Sequence, residues 1–476
     1  MLAPAVGFAL RYPLRGNHEG LTDIGKLAGY GVPEFAGYVG GLVLMFLLYG
    51  LALRECRRLP AGRALPAVFV GGGVLALAFA WMYPVNAIDL FLYAVRSRLW
   101  TTHGANPLVA VPADYAGDPW MRFASREWAD DVSPYGPLWN GIAAPITALA
   151  GDDLLLALLG FKLLAVVSVL AGAWAIARAV ATPRPNAAAG GAMLYLWNPL
   201  VLWEGVGNGH NDVVMAVPLL LALLAWARRR DRLVIPLLVV AALIKYVTLL
   251  AIPLAAVALW RRAGNGAARA RLAAWSAGLS LLAPGVAFFP FYDPGAALAS
   301  VAAQGDIFLT SPAAMAVGLL RDDYSAEAVR AWARGIGQAL MLAILAWWGT
   351  ELWRRPGRLP RATFEVLFAF LLVATWNFRA WYVIWPVALA AVLPWGWPAR
   401  RAIAWSAGGL AGYALFIWGW NWWDTEFYAV QNVGVPLMTG PALVLTLAEV
   451  WWTARRRSTA RLAAPSRSSG ASTAAG

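Results

Sequence analysis

Cysteine, charge and histidine are what this sequence has least of. Cys56 is the only cysteine among 476 residues, so there is no intrachain disulfide and the fold does not depend on oxidation. Charged residues make up 13% of the chain, about half the share of a soluble globular protein. So little charge cannot cover a water-facing surface, which excludes a cytosolic enzyme, a secreted domain and a disordered scaffold. There are three histidines, and no P-loop, GxGxxG, GxSxG or HExxH string stands in a suitable context. Nucleotide hydrolysis and zincin chemistry are therefore disfavoured. The opening MLAPAVGFALRYPLRGN lacks the basic start and cleavage site of a signal peptide, so the first spans are expected to act as the targeting signal.

Apolar residues are abundant, at 61% with a mean hydropathy of +0.60. The solvent they fit is lipid. Apolar stretches bounded by charge fall at 36–53, 64–86, 154–178, 188–203, 213–228, 233–245, 247–260, 273–291, 332–352, 362–377, 381–398, 402–420 and 434–453. Several are shorter than the roughly 20 residues of a full crossing, and 233–245 with 247–260 reads as one kinked helix or two half-helices. The expected fold is all-α, a polytopic transmembrane helical bundle of about 11–13 spans by that length rule.

Orientation follows from arginine. Arg54, Arg57, Arg58 and Arg63, Arg178 and Arg184, Arg228 to Arg230 with Arg232, Arg261, Arg262, Arg269 and Arg271 all fall on alternate loops. So do Arg354, Arg355, Arg358, Arg361, Arg400, Arg401, Arg455 to Arg457, Arg461 and Arg467. The positive-inside rule makes that side cytoplasmic. The net charge of +13 then belongs to membrane-protein loops and calls for no nucleic acid. The expected organisation is an N-terminal exoplasmic or interfacial segment (1–35), a membrane bundle (36–453) with a long exoplasmic loop (87–153), and a disordered cytoplasmic tail (454–476). Other exoplasmic segments are 204–212, 292–331 and 421–433. Lys162 lies near a span end, from which it is expected to snorkel.

The polar residues that can do chemistry gather towards the exoplasmic face. In AIDLFLYAVRSRLW, helical spacing puts Asp89, Tyr93 and Arg96 on one face. Asp89 suits two roles: the N-cap of an interfacial helix, or a half-shielded base for a sugar hydroxyl. In SPYGPLW, two prolines bracket Tyr135 and Gly136 in a rigid turn. In LVLWEGVGNGHNDVV, Glu204, Asn208, His210, Asn211 and Asp212 occur together between two apolar stretches. That cluster suits a phosphate or sugar site, or a polar turn with an Asx cap. Lys245 sits deep in LIKYVTLL and needs an anion, either a lipid phosphate or an internal partner among Asp212, Glu204 and Asp89. Arg379 suits bidentate phosphate binding, and Trp376, Trp381, Tyr382 and Trp385 beside it suit a sugar face or an aromatic belt. No grouping has the spacing of a metal site.

These strings together resemble the GT-C membrane glycosyltransferases. IDLFLYAVRSRL…GANPL, SPYGPLW, NPLVLWEGVGNGHNDVV, ALIKYVTLLAIPL and AWYVIWP are similar to the bacterial polyprenol-phosphate-mannose-dependent α-1,6-mannosyltransferases, in order, over roughly residues 64–398. The resemblance implies inverting transfer of a hexose, mannose in the family, from a polyprenyl-phosphate donor to a glycolipid or glycan acceptor at the exoplasmic face of the bacterial cytoplasmic membrane. It implies Asp89 as the base, Tyr93 and Tyr135 lining the sugar and acceptor site, and His210, Asn211, Asp212 and Lys245 binding the donor. It implies no metal or other cofactor; the partners are the two substrates and membrane lipids. Read without the resemblance, the residues also fit a transporter or flippase of a lipid-linked glycan.

Overall fold

The computed structural model describes residues 1–462 apart from 57, 60, 292, 294 and 296–309. Of the expected exoplasmic segment 292–331, residues 292, 294 and 296–309 thus lie outside the described residues. Of the expected tail, 463–476 do too, while its first residues continue the Phe427–Leu462 helix. Every regular element among the described residues is helical, and the one β feature is an isolated bridge between Pro13 and Met82. The protein is an all-α polytopic helical protein, the form in which a chain this apolar satisfies its own backbone.

Among the described residues six helices are long and apolar enough to cross a membrane: Val32–Cys56, Gly62–Ala80, Leu154–Ala181, Gly266–Phe288, Trp397–Trp423 and Phe427–Arg456. A bent pair, Val201–Gly207 with Asp212–Ala227, would make a seventh. The remaining apolar stretches fold into shorter helices, among them Ala188–Leu196, Val234–Ala242, Ala251–Arg262, Leu359–Val373 and Ile384–Ala391. At 1.5 Å per residue these reach about 12–24 Å, less than the bilayer core of about 30 Å. They stop short because polar residues interrupt them part-way, and hydropathy alone registers each piece as a span.

The half-helix alternative holds for 233–260. Val234–Ala242 runs in, the chain turns at Lys245, and Ala251–Arg262 runs back. The two outer ends meet, since Arg262 pairs with Asp231 at 2.6 Å and donates to the Trp226 carbonyl at 3.0 Å. Similar contacts knit the arginine-rich ends of other helices together. Arg261 donates to the Trp353 carbonyl (2.8 Å), Arg358 pairs with Glu351 (2.7 Å), and Arg361 and Arg401 share Glu365 and Glu449. Helices that begin or end in this belt have their other ends at Asp212, Thr375 and Trp385. The positive end of the bundle and its polar interior are therefore opposite each other.

Residues 1–35 pack on this body. Phe8 meets the buried Trp203 edge-on, with centroids 4.8 Å apart, and Leu14 and Tyr83 exchange backbone bonds with Trp81 and Tyr12. In the 87–153 segment, the Asp89–Thr101 helix is covered by protein along most of its length. Leu90 to Leu99 are all buried, because the chain folds back over them and Phe123 stacks on Phe91 at 5.3 Å. Nor does Asp89 cap this helix; it is the first helical residue and its side chain makes no cap bond. The fold-over is fastened by Arg98, which donates to Asp118 (2.6 Å), Asp152 (2.7 Å) and the Gly151 carbonyl (2.9 Å). Burial pushes the Asp118 carboxyl up, but the Trp120 N–H, Arg98 and His103 outweigh it and hold the group below the usual carboxylate range.

Lys162 does not snorkel. Its ammonium is buried and donates to the carbonyls of Met82 (2.9 Å), Val206 (3.0 Å) and Gly207. The wide turn Val201–Gly207 leaves the Val206 and Gly207 carbonyls without helical partners, and an interior cation satisfies them better than a distant headgroup region can.

Candidate active site

The helix breaks converge on one cavity of about 660 Å³. Its wall is formed by Asp89 and Arg96 from the Asp89–Thr101 helix, Tyr135 from the Pro134–Pro137 turn, Lys245 from the half-helix break, and Arg379, Trp381 and Tyr382 from the 374–385 stretch. These seven lie within 89–382 in sequence, and tertiary folding brings them together.

The Tyr135 turn and the Lys245 break form a single unit. Gly136 and Leu138 donate their N–H groups to the carbonyls of Ile244 (3.2 Å) and Leu243 (3.0 Å), which the broken helix has freed. A Cβ on Gly136 would collide with the Leu243 carbonyl, so this position needs glycine for close approach. Pro137 then starts the next helix at its first position. The Tyr135 hydroxyl consequently reaches Asp89 and donates to Oδ1 at 2.8 Å. No other side-chain hydrogen bond to Asp89 occurs among the described residues, and its side chain is 18% exposed, so one carboxylate oxygen is held and the group still meets the cavity.

Lys245 has an internal anion. Its Nζ donates to both oxygens of Asp212 (2.8 and 2.9 Å), and the Trp385 indole donates to Oδ1 of the same carboxylate at 2.6 Å. Asp212 is sealed from the cavity, but Lys245 lines it, 4.6 Å from the centre of the Tyr382 ring. Arg96 is 3% exposed, and its Nε and Nη2 have no protein acceptor. Neither Arg96 nor Arg379 is in an ion pair among the described residues, and Arg379 lies over Trp381. The cavity thus carries cationic donors not already matched by protein.

Glu204, Asn208, His210, Asn211 and Asp212 are brought together but line no part of the cavity; all are buried. Asn208 donates to Glu204 at 2.8 Å, and the Asn211 N–H donates to the Tyr93 hydroxyl at 3.2 Å. Tyr93 is likewise buried, under Trp139 and Tyr135. Trp381 separates His210 from the open space, stacking on it at 3.9 Å. Among the described residues no three His, Cys, Asp or Glu side chains are grouped as a metal site.

Sequence reasoning missed several residues. Asn86 accepts from the Trp203 indole at 2.7 Å and lines the cavity; its place three residues before Asp89 was the available signal. Asp23, Lys26 and Glu127 also line it, and nothing in the sequence ties them to Asp89. A second cavity of about 630 Å³, rich in aromatic residues such as Phe416 and Trp420, shares Asp23, Asn86, Arg379 and Trp381 with the first.

Known proteins are similar to this chain in sequence. Residues 13–261 match the family described as alpha-(1->6)-mannopyranosyltransferase, N-terminal domain. The chain is 26% identical to alpha-(1->6)-mannopyranosyltransferase A of Corynebacterium glutamicum over 52% of this chain and 51% of that protein. It is 28% identical to alpha-(1->6)-mannopyranosyltransferase A of Mycobacterium tuberculosis over 80% of this chain and 73% of that one. The match thus spans about half the length of the corynebacterial relative and about three-quarters of the mycobacterial one. The matched stretch holds Asp89, Tyr135, Glu204, His210, Asp212 and Lys245, and with it covering more than half of the sequence, the chain belongs to the alpha-(1->6)-mannopyranosyltransferase family.

Proposed function

We propose that this protein is an integral membrane inverting mannosyltransferase that moves mannose from a polyprenyl-phosphate donor to a glycolipid or glycan acceptor, at the exoplasmic face of the bacterial membrane. The observation that carries the reading is Asp89, with one carboxylate oxygen fixed by Tyr135 and the side chain open to a cavity that also holds Arg96, Arg379, Lys245 and an indole wall. The acceptor hydroxyl attacks the anomeric carbon while Asp89 takes its proton. The bond from that carbon to the phosphate oxygen breaks, and the electron pair leaves with the phosphate. A lipid phosphate is a good enough leaving group to need cationic stabilisation rather than protonation, and Arg96 and Arg379 have donors to give it. Trp381 and Tyr382 supply faces for the sugar ring. The arginine belt at the opposite end of the bundle supports the exoplasmic placement through the positive-inside rule.

The test is transfer from polyprenyl-phosphate-[¹⁴C]mannose to a glycolipid extract by purified wild type and Asp89→Asn. Wild-type transfer that a folded Asp89→Asn variant loses by at least about a hundredfold is expected for a general base. Equal transfer by both removes Asp89 from the mechanism, and no wild-type transfer from any lipid-phosphate sugar refutes the reaction class.

A further inference from the structure

Behind Asp89, on the side away from the cavity, His210 stands between two carboxylates. Its Nδ1 is 4.0 Å from Oδ1 of Asp89, and its Nε2 is 3.3 Å from Oε2 of Glu204. Glu204 and His210 are fully buried, and neither ring nitrogen makes a well-formed hydrogen bond. The ring is confined between Trp381, which stacks on it at 16° between planes, and a backbone turned by Gly209 at φ +77°. The His210 N–H donates to the Glu204 carbonyl at 3.1 Å, and Asn208 steadies Oε2 of the same residue. A buried imidazole held this firmly, with a carboxylate beside each nitrogen, exceeds what a polar turn requires.

We propose that Glu204 and His210 are positioning residues forming a second stage behind the base: the proton that Asp89 takes from the acceptor hydroxyl passes on to Nδ1 of His210. This rests on the reading of Asp89 as the base. With Glu204 ionised, the neutral ring keeps its proton on Nε2, towards Glu204, and turns the Nδ1 lone pair to Asp89. A lone pair and an ionised carboxylate repel, which accounts for a 4.0 Å gap with no bond across it. Once Asp89 takes the proton on the oxygen that Tyr135 leaves free, a turn of the carboxyl about its Cβ–Cγ bond presents the O–H to Nδ1, and the imidazolium that forms lies between two carboxylates. The steps balance. The acceptor oxygen bonds to the anomeric carbon and gives up its proton to Asp89 and then His210, and the phosphate departs with the electron pair of the broken C–O bond. Glu204 and His210 are sealed from the cavity, so the proton returns through Asp89 to water when the products leave. Other groups near the relay are Tyr93, Tyr135 and Arg96 around Asp89, Tyr38 and Tyr413 around Glu204, and Arg379 from the neighbouring loop. Lys245 is already matched by Asp212.

Three histidines in the chain make a direct test practicable. The full-length protein in bilayers is labelled with [¹⁵N]histidine, and His210 is assigned by subtracting the His210→Gln spectrum. The expected ring is the Nε2–H tautomer at neutral pH, a preference that Glu204→Gln should abolish. An Nδ1–H ring, or a tautomer preference that Glu204→Gln does not move, overturns the relay whether or not the wild type transfers mannose. Kinetically, His210→Gln should lower kcat about 10–100-fold with KM for both substrates within about threefold. Glu204→Gln should lower kcat in the same way, and Glu204→Asp should recover part of that loss. An unchanged kcat in a folded variant, or a raised KM with kcat intact, also overturns it. Absence of wild-type transfer would instead count against the reaction, and the resonance result would stand apart from it.

Discussion

Replacing Lys245 with Met tests whether the Asp212 pair holds the broken helices together. Removing one partner of a buried ion pair costs about 3–5 kcal/mol, because the other charge is left uncompensated. Asp212 would keep the Trp385 N–H and its place at the first position of the Asp212–Ala227 helix, where the helix dipole favours a negative charge. Those two contacts offset about 1–2 kcal/mol, leaving about 1–4 kcal/mol, or roughly 5–900-fold in the folding equilibrium. Adding Asp212→Asn should restore most of that loss, since a neutral amide needs no counter-ion. The assay is equilibrium unfolding in mixed micelles for wild type, both single variants and the double variant. The expected order places the double variant above Lys245→Met. Losses that simply add would refute the coupling, and a Lys245→Met protein as stable as wild type would show that the pair bears no load. A folded double variant with an elevated donor KM would add a direct phosphate contact to the role of Lys245.

Lys162→Met should destabilise by at least about 3 kcal/mol in the same unfolding assay, because the carbonyls of Met82, Val206 and Gly207 lose their shared donor together; wild-type stability would contradict the buried assignment. Gly136→Ala should cost activity and stability together, since the added methyl meets the Leu243 backbone rather than a movable side chain, and mannose transfer with thermal unfolding reads both. The pH dependence of the 103–131 fold-over follows from Asp118, whose carboxyl lies below its ordinary range in the folded protein. Its stabilisation is therefore full above the unfolded value of about 4 and is lost as pH falls through the lower folded value. Hydrogen exchange of that segment, corrected for intrinsic rate, should accelerate on going from pH 5 to pH 3 in wild type and show less pH dependence in Asp118→Asn.

Lipid as the solvent and an all-helical fold were legible in the sequence because they follow from composition, and composition does not depend on contacts. Asp89, the Tyr135 turn, the 204–212 cluster and Lys245 also stood out, because a polar residue within an apolar run is conspicuous wherever the run ends up. Three things required the tertiary structure. Lys162 looked close enough to a span end to snorkel, and only the fold brings Met82 and the wide turn at Val201–Gly207 together to offer the three carbonyls it serves. The apolar stretches counted as spans include half-helices such as Val234–Ala242 and Ala251–Arg262, because hydropathy sums along the chain and cannot register that Gly136 and Leu138 dock on the carbonyls at the break. Membership of the 204–212 residues in one cluster was visible, but not that Trp381 walls them off from the cavity while His210 stays 4.0 Å behind Asp89. Sequence order carries residue chemistry and local spacing. Which side of a carboxylate faces open space, and which faces a buried imidazole, depends on helices distant in the chain coming to pack around it.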